Sequence, residues 1–277
     1  MAPATATVGS MASTRVGALL REWRIRRRRS QLDLALEVGV STRHLSFVEN
    51  GRSRPSPELV LSIAHHLDVP LRDRNTMLLA AGYAPRYGQT ALDAPAMRRV
   101  LATLQRMLDA HDPYPGVVID HRWNIVLANR AASAMTADVS PDALGPVLNV
   151  FRLCLHPHGL APRTANFDDW ARYLLNQLAR TRAHHDDAEL EALAAEIAFY
   201  PNLPGPGPTP SIALGDEPPL LVPFRVRVAG DDLSLFTTLT TFGTPQDITL
   251  DELAVELFFP ADDATERILQ AAVSTRA

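Results

Sequence analysis

The sequence predicts an α+β chain, all-helical at its N-terminus and then a small antiparallel sheet packed with helices. Three observations carry this. Apolar residues recur at helical spacing from about residue 14 to 82, whereas beyond residue 115 short apolar runs alternate with period two. Residues 83–92, broken by Pro85 and Gly88, read as a linker between the two regions. Charge divides at the linker as well: residues 1–88 hold 13 Arg against 7 acidic residues, and residues 89–277 hold 14 against 24. A +6 module is thus joined to a −10 body, which suits phosphate contact at one end only.

Residues 1–13 are small and polar without periodicity, and are expected to be disordered. A first helix follows from about Thr14 to Arg28, with Val16, Leu19, Leu20 and Trp23 on one side. Ser30 opens a second, and Asp33 three residues on completes a capping box. Leu34, Ala35 and Val38 are its buried side, Gly39 supplies a tight turn, and Ser41 caps a third helix. On that helix Leu45 and Val48 point to the core at 100° per residue. The opposite face is centred on Arg43, with Thr42, Ser46 and Phe47 around it and His44 at the flank. Ser56-Pro57-Glu58 starts a fourth helix carrying Leu59, Val60, Ile63, Ala64 and Leu67, and Pro70 a fifth that closes near Ala81-Gly82.

Two short helices meeting at a Gly turn, the second with an Arg-bearing polar face, read as a helix-turn-helix and point to double-stranded DNA. Arg43 suits guanine N7 and O6, while small hydroxyls or an apolar group suit the thymine methyl. Phe47 either touches a base methyl or packs under a neighbouring loop. The run Arg26-Arg27-Arg28-Arg29 beside the motif reads as phosphate contact rather than merely a solvated helix face.

In the second region, a helix begins at Asp93 with Pro95 in its first turn and Met97, Val100, Leu101, Leu104 and Leu108 at helical spacing. Gly116 to Asp120 is a strand, His121-Arg122 a turn, and Trp123, Ile125 and Leu127 alternate in a second strand. Asn129 to Met135 is a helical turn, with longer helices at about Phe167–Thr181 and Asp187–Phe199. Residues 201–223 hold 8 of the 22 prolines and are irregular. Strands return at Phe224–Ala229 and Leu233–Phe242 around Gly230-Asp231. Leu250–Phe258 is open between helix (Leu253, Leu257, Thr249 cap) and strand (Val255, Phe258, Phe259).

The pattern Ser30-Gln31, Leu34-Ala35, Gly39-Val40-Ser41, Leu45-Ser46 and Glu49-Asn50-Gly51 closely resembles the XRE family of phage-repressor-like regulators over residues 14–82. That resemblance implies a five-helix domain, with Gln31 touching a phosphate and Thr42, Arg43 and Phe47 near base edges. Ser41 and Ser46 flank this face, and Asn50, Arg52 and Arg54 would meet the DNA backbone. Arg29 departs from the family, which usually has an apolar residue there. The remainder resembles the MmyB-like ligand-binding domain, a PAS-like fold found behind such modules, over about residues 95–270. The carrying segments are Pro113-Tyr114-Pro115, Asp120 with Arg122-Trp123-Asn124, Ala128-Asn129-Arg130, Leu155-His156-Pro157-His158-Gly159 with Trp170, and Thr240-Thr241-Phe242-Gly243-Thr244-Pro245. The resemblance implies a sensor cavity for a fatty-acid-like apolar ligand in residues 93–277.

Candidates for the apolar wall are Trp123, Ile125, Phe151, Trp170, Phe224, Val226, Phe236, Thr238, Thr240 and Phe242, with His156 a possible polar anchor. Each is also a plausible core residue. Thr in an otherwise apolar strand argues for a cavity, because a buried hydroxyl needs a partner. Cys154, His156 and His158, with His184-His185, form a weaker set that a metal or haem would use, but Pro157 and the missing carboxylate favour structural use. No cofactor and no metal are therefore expected.

The sequence contains no lysine, which excludes Schiff-base catalysis, a P-loop and a Ser–Lys self-cleavage dyad. Neither a G-x-S-x-G elbow nor a zincin His/Glu spacing is present, so no enzyme is expected. The single Cys154, the lack of a membrane-length apolar run and the lack of a signal peptide point to the cytoplasm. The expectation is a homodimeric regulator on a palindromic operator, modulated by a small apolar ligand. The alternatives are a constitutive regulator whose C-terminal domain only dimerises, and a haem or metal sensor.

Overall fold

The computed structural model describes residues 5–184, 187–205 and 221–274. The chain opens with α1 (Thr5–Arg26), α2 (Gln31–Val38), α3 (Thr42–Glu49), α4 (Pro57–His66), α5 (Leu71–Ala80) and α6 (Pro95–Ala110). Strands β1 (Gly116–Ile119) and β2 (Ile125–Ala128) precede α7 (Arg130–Met135), α8 (Pro141–Leu144), α9 (Val150–Leu155), α10 (Phe167–His184) and α11 (Ala188–Ala198). Then come β3 (Phe224–Val228), β4 (Asp231–Thr241), α12 (Ile248–Asp251), β5 (Ala254–Pro260) and α13 (Asp263–Ser274). Two compact units result. One holds the chain up to Ala91 plus Gly243–Asp251; the other holds Leu92–Phe242 and Glu252–Ala277.

The first unit packs α1–α5 around Val16, Leu20, Trp23, Leu34, Leu45, Val48, Ile63 and Met77, all buried. Ser30 Oγ accepts the Asp33 amide at 3.1 Å, so Ser30 caps α2, and Asp33 answers by accepting the hydroxyl at 2.7 Å rather than the Ser30 backbone amide of a full capping box. Gly39 ends α2 at φ +76°, a left-handed conformation that glycine takes without a steric cost. Ser41 Oγ then accepts the His44 amide at 3.1 Å. A second glycine sets the helix spacing: a Cβ on Gly17 would come within 2.4 Å of the Val48 carbonyl, so only Gly lets α1 lie on α3.

Three features differ from the sequence reading. Helix α1 begins at Thr5, so residues 5–13 are helical rather than disordered. Residues 83–91 are fixed to their unit: Asn75 bonds the backbone of Arg86 and Tyr87, and the Tyr83 hydroxyl donates to the Pro55 carbonyl at 2.9 Å. Segment 243–251 also belongs here, its Asp247 carboxylate accepting from Thr90 and its Asp251 carboxylate from the Leu71 amide at 2.9 Å. The second domain is therefore not continuous in sequence.

The second unit is built on a five-stranded antiparallel sheet of order β2-β1-β5-β4-β3. Val117 opposes both Ala128 and Glu256, and Glu256 opposes Leu239, which sets one row across the sheet. Thr237 opposes Phe258, so Leu233, Leu235 and Thr237 of β4 share the Glu256 face. Helices α7, α9, α10 and α11 bury that face with Met135, Phe151, Leu155, Trp170, Leu174 and Leu193. Helix α6 lies on the other face, where Leu108 and Leu257 both approach Gly116.

The open segment 250–258 resolves into α12 and β5. Residues 150–155 are helix, so Cys154, His156 and His158 do not alternate on a strand. Trp123 is not a strand residue either; at φ +64° it sits in the β1–β2 turn. Much of the Pro-rich stretch, with His185 and Asp186, lies outside the described residues.

Candidate functional site

Helix α3 carries the first site. Leu45 and Val48 are buried, and Arg43 is exposed with its guanidinium carbon 5.2 Å above the Phe47 ring. Phe47 is half-buried, so its ring stiffens the Arg43 side chain while leaving an edge outward. Thr42 and Ser46 are half-buried beside it, and Ser41 and Asn50 are exposed at the helix ends. Asn50 Nδ2 donates to the Ser46 carbonyl at 2.8 Å. Arg52 is exposed just beyond, its backbone amide bonded to the Phe47 carbonyl at 2.8 Å. This is a rigid, outward polar ridge with one cation at its centre.

Other cations named from the sequence are engaged within the fold. Arg54 donates to the carbonyls of Ala81 at 3.2 Å and Gly82 at 3.4 Å, and its guanidinium lies 4.7 Å over Tyr83. It closes the end of α5 while the residue remains exposed. In the arginine run, Arg26 pairs with Glu22, Arg27 donates to the Leu67 and Asp68 carbonyls at the end of α4, and Arg29 pairs with Glu37. The departure at Arg29 is thereby explained: the site is an ion pair at the start of α2, not a core position.

Gln31 is also held from inside. Its amide donates at 2.7 Å to Glu49, whose side chain is 1% exposed and which also receives Arg24 at 2.7 and 2.9 Å. Sequence reasoning missed this Arg24–Glu49–Gln31 cluster, although Glu49 on the Leu45–Val48 side of α3 was the available signal.

The second site is in the sheet unit. A cavity of about 90 Å³ lies between the sheet and α7 and α9, lined by Ile125, Met135, Leu153, Cys154, Phe224 and Glu256 among others. A groove of about 460 Å³ shares Pro115 and Met135 with it and is lined further by Arg130, Leu233, Ile268 and Leu269. Of the proposed wall residues, Ile125 and Phe224 line the cavity. Trp170 stacks on Phe224 at 4.7 Å and Trp123 leans on Phe151 at 4.9 Å, while Val226 is buried in the same core.

The remaining candidates lie elsewhere. Thr238 and Thr240 are exposed, and with Phe236 they fall on the strand face away from Glu256, while half-buried Phe242 lies just beyond the end of β4. Phe236 stacks on Phe259 at 5.4 Å. His156 packs edge-on against Tyr200 at 5.0 Å, and burial and the neighbouring His158 hold its imidazole below the ordinary value. It caps α9 and does not line the cavity.

Polar atoms at the cavity are few. Glu256 is 4% exposed, and burial pushes its carboxyl up to about 7 against a hydrogen bond to Thr237. Its Oε2 and the Trp170 indole Nε1 have no hydrogen-bond partner among the described residues. Burial pushes the Cys154 thiol to about 12, so it is an inert thiol. Among the described residues no three His, Cys, Asp or Glu side chains are grouped to hold a metal ion, and no helix is long and apolar enough to cross a membrane.

Residues 100–272 match the family model of the MmyB-like transcription regulator ligand binding domain, and residues 20–73 match that of a helix-turn-helix. Among solved structures, the clp gene regulator ClgR from C. glutamicum is 32% identical over 26% of this chain and 88% of its own, with a TM-score of 0.23. The restriction-modification controller protein C.AhdI from Aeromonas hydrophila is 31% identical over 22% of this chain and 94% of its own, TM-score 0.22. The PAS domain of Bordetella pertussis BvgS is 15% identical over 64% of this chain and 97% of its own, TM-score 0.27. No curated protein matches the sequence.

Proposed function

The chain belongs to the MmyB-like transcription regulators, as a DNA-binding helix-turn-helix regulator with a ligand-binding domain, and from that premise we propose a ligand-modulated, sequence-specific operator-binding homodimer. The observation that carries the DNA half is the outward ridge of α3, with Arg43 stiffened over Phe47. In the major groove Arg43 meets a guanine, Thr42 and Ser46 reach neighbouring base edges, and Phe47 lies against a thymine methyl. Asn50 and Arg52 then approach phosphates, with Gln31 and Ser41 at the entering helix ends. Two copies place their ridges on half-sites about 34 Å apart.

The ligand half rests on the groove and the adjoining cavity, both walled by apolar side chains. A small apolar, fatty-acid-like molecule there favours one arrangement of the protein over another, and by linkage it alters operator affinity only through that difference.

Operator selection from random DNA, followed by binding of Arg43→Ala, tests the first half. The variant should lose about 1–3 kcal/mol on the selected site and blur preference at one base position. Equal losses on selected and random DNA would remove Arg43 from base readout. For the second half, no thermal shift across a panel of apolar ligands leaves a constitutive regulator in its place.

A further inference from the structure

We propose that the inner cavity takes a compact apolar molecule bearing a hydrogen-bond donor, a hydroxyl or a protonated amine, which Glu256 receives. This deepens the ligand-binding reading above and rests on it. The cavity walls are hydrocarbon from Ile125, Met135, Leu153 and Phe224, and into them β5 brings one carboxyl group. Glu256 has a hydrogen bond to Thr237, but Oε2 has none among the described residues at 4% exposure. Buried polar atoms are nearly always paired, and an isolated carboxyl in hydrocarbon is among the costliest exceptions. A donor placed in the cavity would remove that deficit.

Size and sign narrow the class. An engineered cavity of about 150 Å³ holds benzene, six carbons, so one of about 90 Å³ takes a body near four carbons rather than a long acyl chain. Above the raised Glu256 value of about 7, charge disfavours a carboxylate head at this end, since two ionised acceptors would face each other without a proton between them. An acyl chain in the outer groove is a separate matter, and there Arg130 already pairs with Asp112 at 3.7 Å while Asp231 adds a second carboxylate to the lining. The Trp170 indole N–H is directed at the Cys154 thiol, itself a wall residue, so it leaves Glu256 as the polar group without a full set of partners.

The test uses the full chain and four probes of one shape: cyclobutane, cyclobutanol, cyclobutylamine and cyclobutanecarboxylate. At pH 8 the alcohol and amine should bind at least about tenfold more tightly than the hydrocarbon or the carboxylate, read by thermal shift and calorimetry. Glu256→Gln should keep the alcohol and lose the amine's advantage. Glu256→Leu should raise the melting temperature without ligand and abolish preference for either donor. If cyclobutane binds wild type as well as the alcohol and amine do, the Glu256 role is wrong while the cavity stands. If none of the four binds, the cavity fails as a ligand site for compact apolar molecules and this inference falls with it.

Discussion

Replacing Glu49 with Ala should selectively unfold the N-terminal helices. The carboxylate sits at the end of α3 with its side chain 1% exposed, and it takes Arg24 through two bonds of 2.7 and 2.9 Å and Gln31 through one of 2.7 Å. Arg24 is only 12% exposed on its side chain, with one further bond to the Arg29 carbonyl at 2.9 Å. Truncating Glu49 therefore strands a guanidinium and an amide away from water. An exposed ion pair would be worth less than about 1 kcal/mol, but removing one member of a buried pair costs about 3–5 kcal/mol. That is a large part of the ~5–15 kcal/mol that holds a typical domain. The pair Arg24→Met with Glu49→Leu should recover most of the loss, because no charge is left unpaired. Hydrogen exchange of peptides spanning residues 14–52 in the full chain, compared with the sheet unit as internal control, reads the opening free energy directly. A loss below about 1 kcal/mol for Glu49→Ala, or an equally unstable apolar double variant, would refute the buried-pair argument.

Gly17→Ala should fail for a steric reason, since its methyl would sit 2.4 Å from the Val48 carbonyl; α1 must lift from α3, and operator binding should fall together with helical melting temperature. Operator affinity surviving unchanged would show that α1 does not brace the recognition helix. Arg54→Ala should cost about 1–2 kcal/mol of stability through its lost carbonyl bonds and Tyr83 contact, whereas the salt slope of DNA binding should stay as in wild type; a slope smaller by one phosphate would restore it as a backbone contact. His121 should make the sheet unit pH-sensitive. Burial alone lowers its pKa, but Glu252 at 3.0 Å and Asp187 at 2.9 Å on its two ring nitrogens outweigh this and leave it raised. Its stabilisation is complete below the unfolded value of about 6.5 and is lost as pH rises through the folded one. The melting temperature should thus decline as pH rises above about 6.5, and His121→Gln should lessen the decline; identical slopes would assign it to other groups, of which Glu256, raised to about 7, is one.

The helical unit was legible because each signal acts locally. Ser30, Gly39, Ser41 and Ser56 cap or turn the chain next to themselves, and the structure shows each bond where the spacing places it. What failed there was long-range. Nothing near Arg27 or Arg54 in sequence announces that carbonyls some 40 and 27 residues away will accept their N–H groups, so the charge of the arginine run, and for Arg54 the family resemblance, suggested phosphate. In the sheet, alternation divided β4 correctly into two sets, Leu235-Thr237 and Phe236-Thr238-Thr240, but alternation carries no label for the inward set. Aromatic content favoured the Phe236 set, which the structure turns away from Glu256, and half-buried Phe236 finds Phe259 instead. Short helices α8 and α9 escaped because four- and six-residue stretches contain too little of a 3.6-residue period to be distinguished from strand.

Glu256 illustrates why the most informative residue was also the least visible. In the sequence it stands within Val255-Glu256-Leu257-Phe258, where a helix would turn the carboxylate outward and a strand would place it opposite its two apolar neighbours. Both readings leave it solvated. Only the register with Val117 on one side and Leu239 on the other puts it on the buried face. An apolar residue of similar volume there would be more stable, by the reasoning that makes unpaired buried carboxyls rare. The carboxyl thus opposes the fold that surrounds it, and strain of that kind concentrates where a protein must recognise something. If Glu256→Leu fails to raise the melting temperature, the carboxyl is satisfied by means the side-chain geometry does not contain, and its claim to be a ligand anchor disappears.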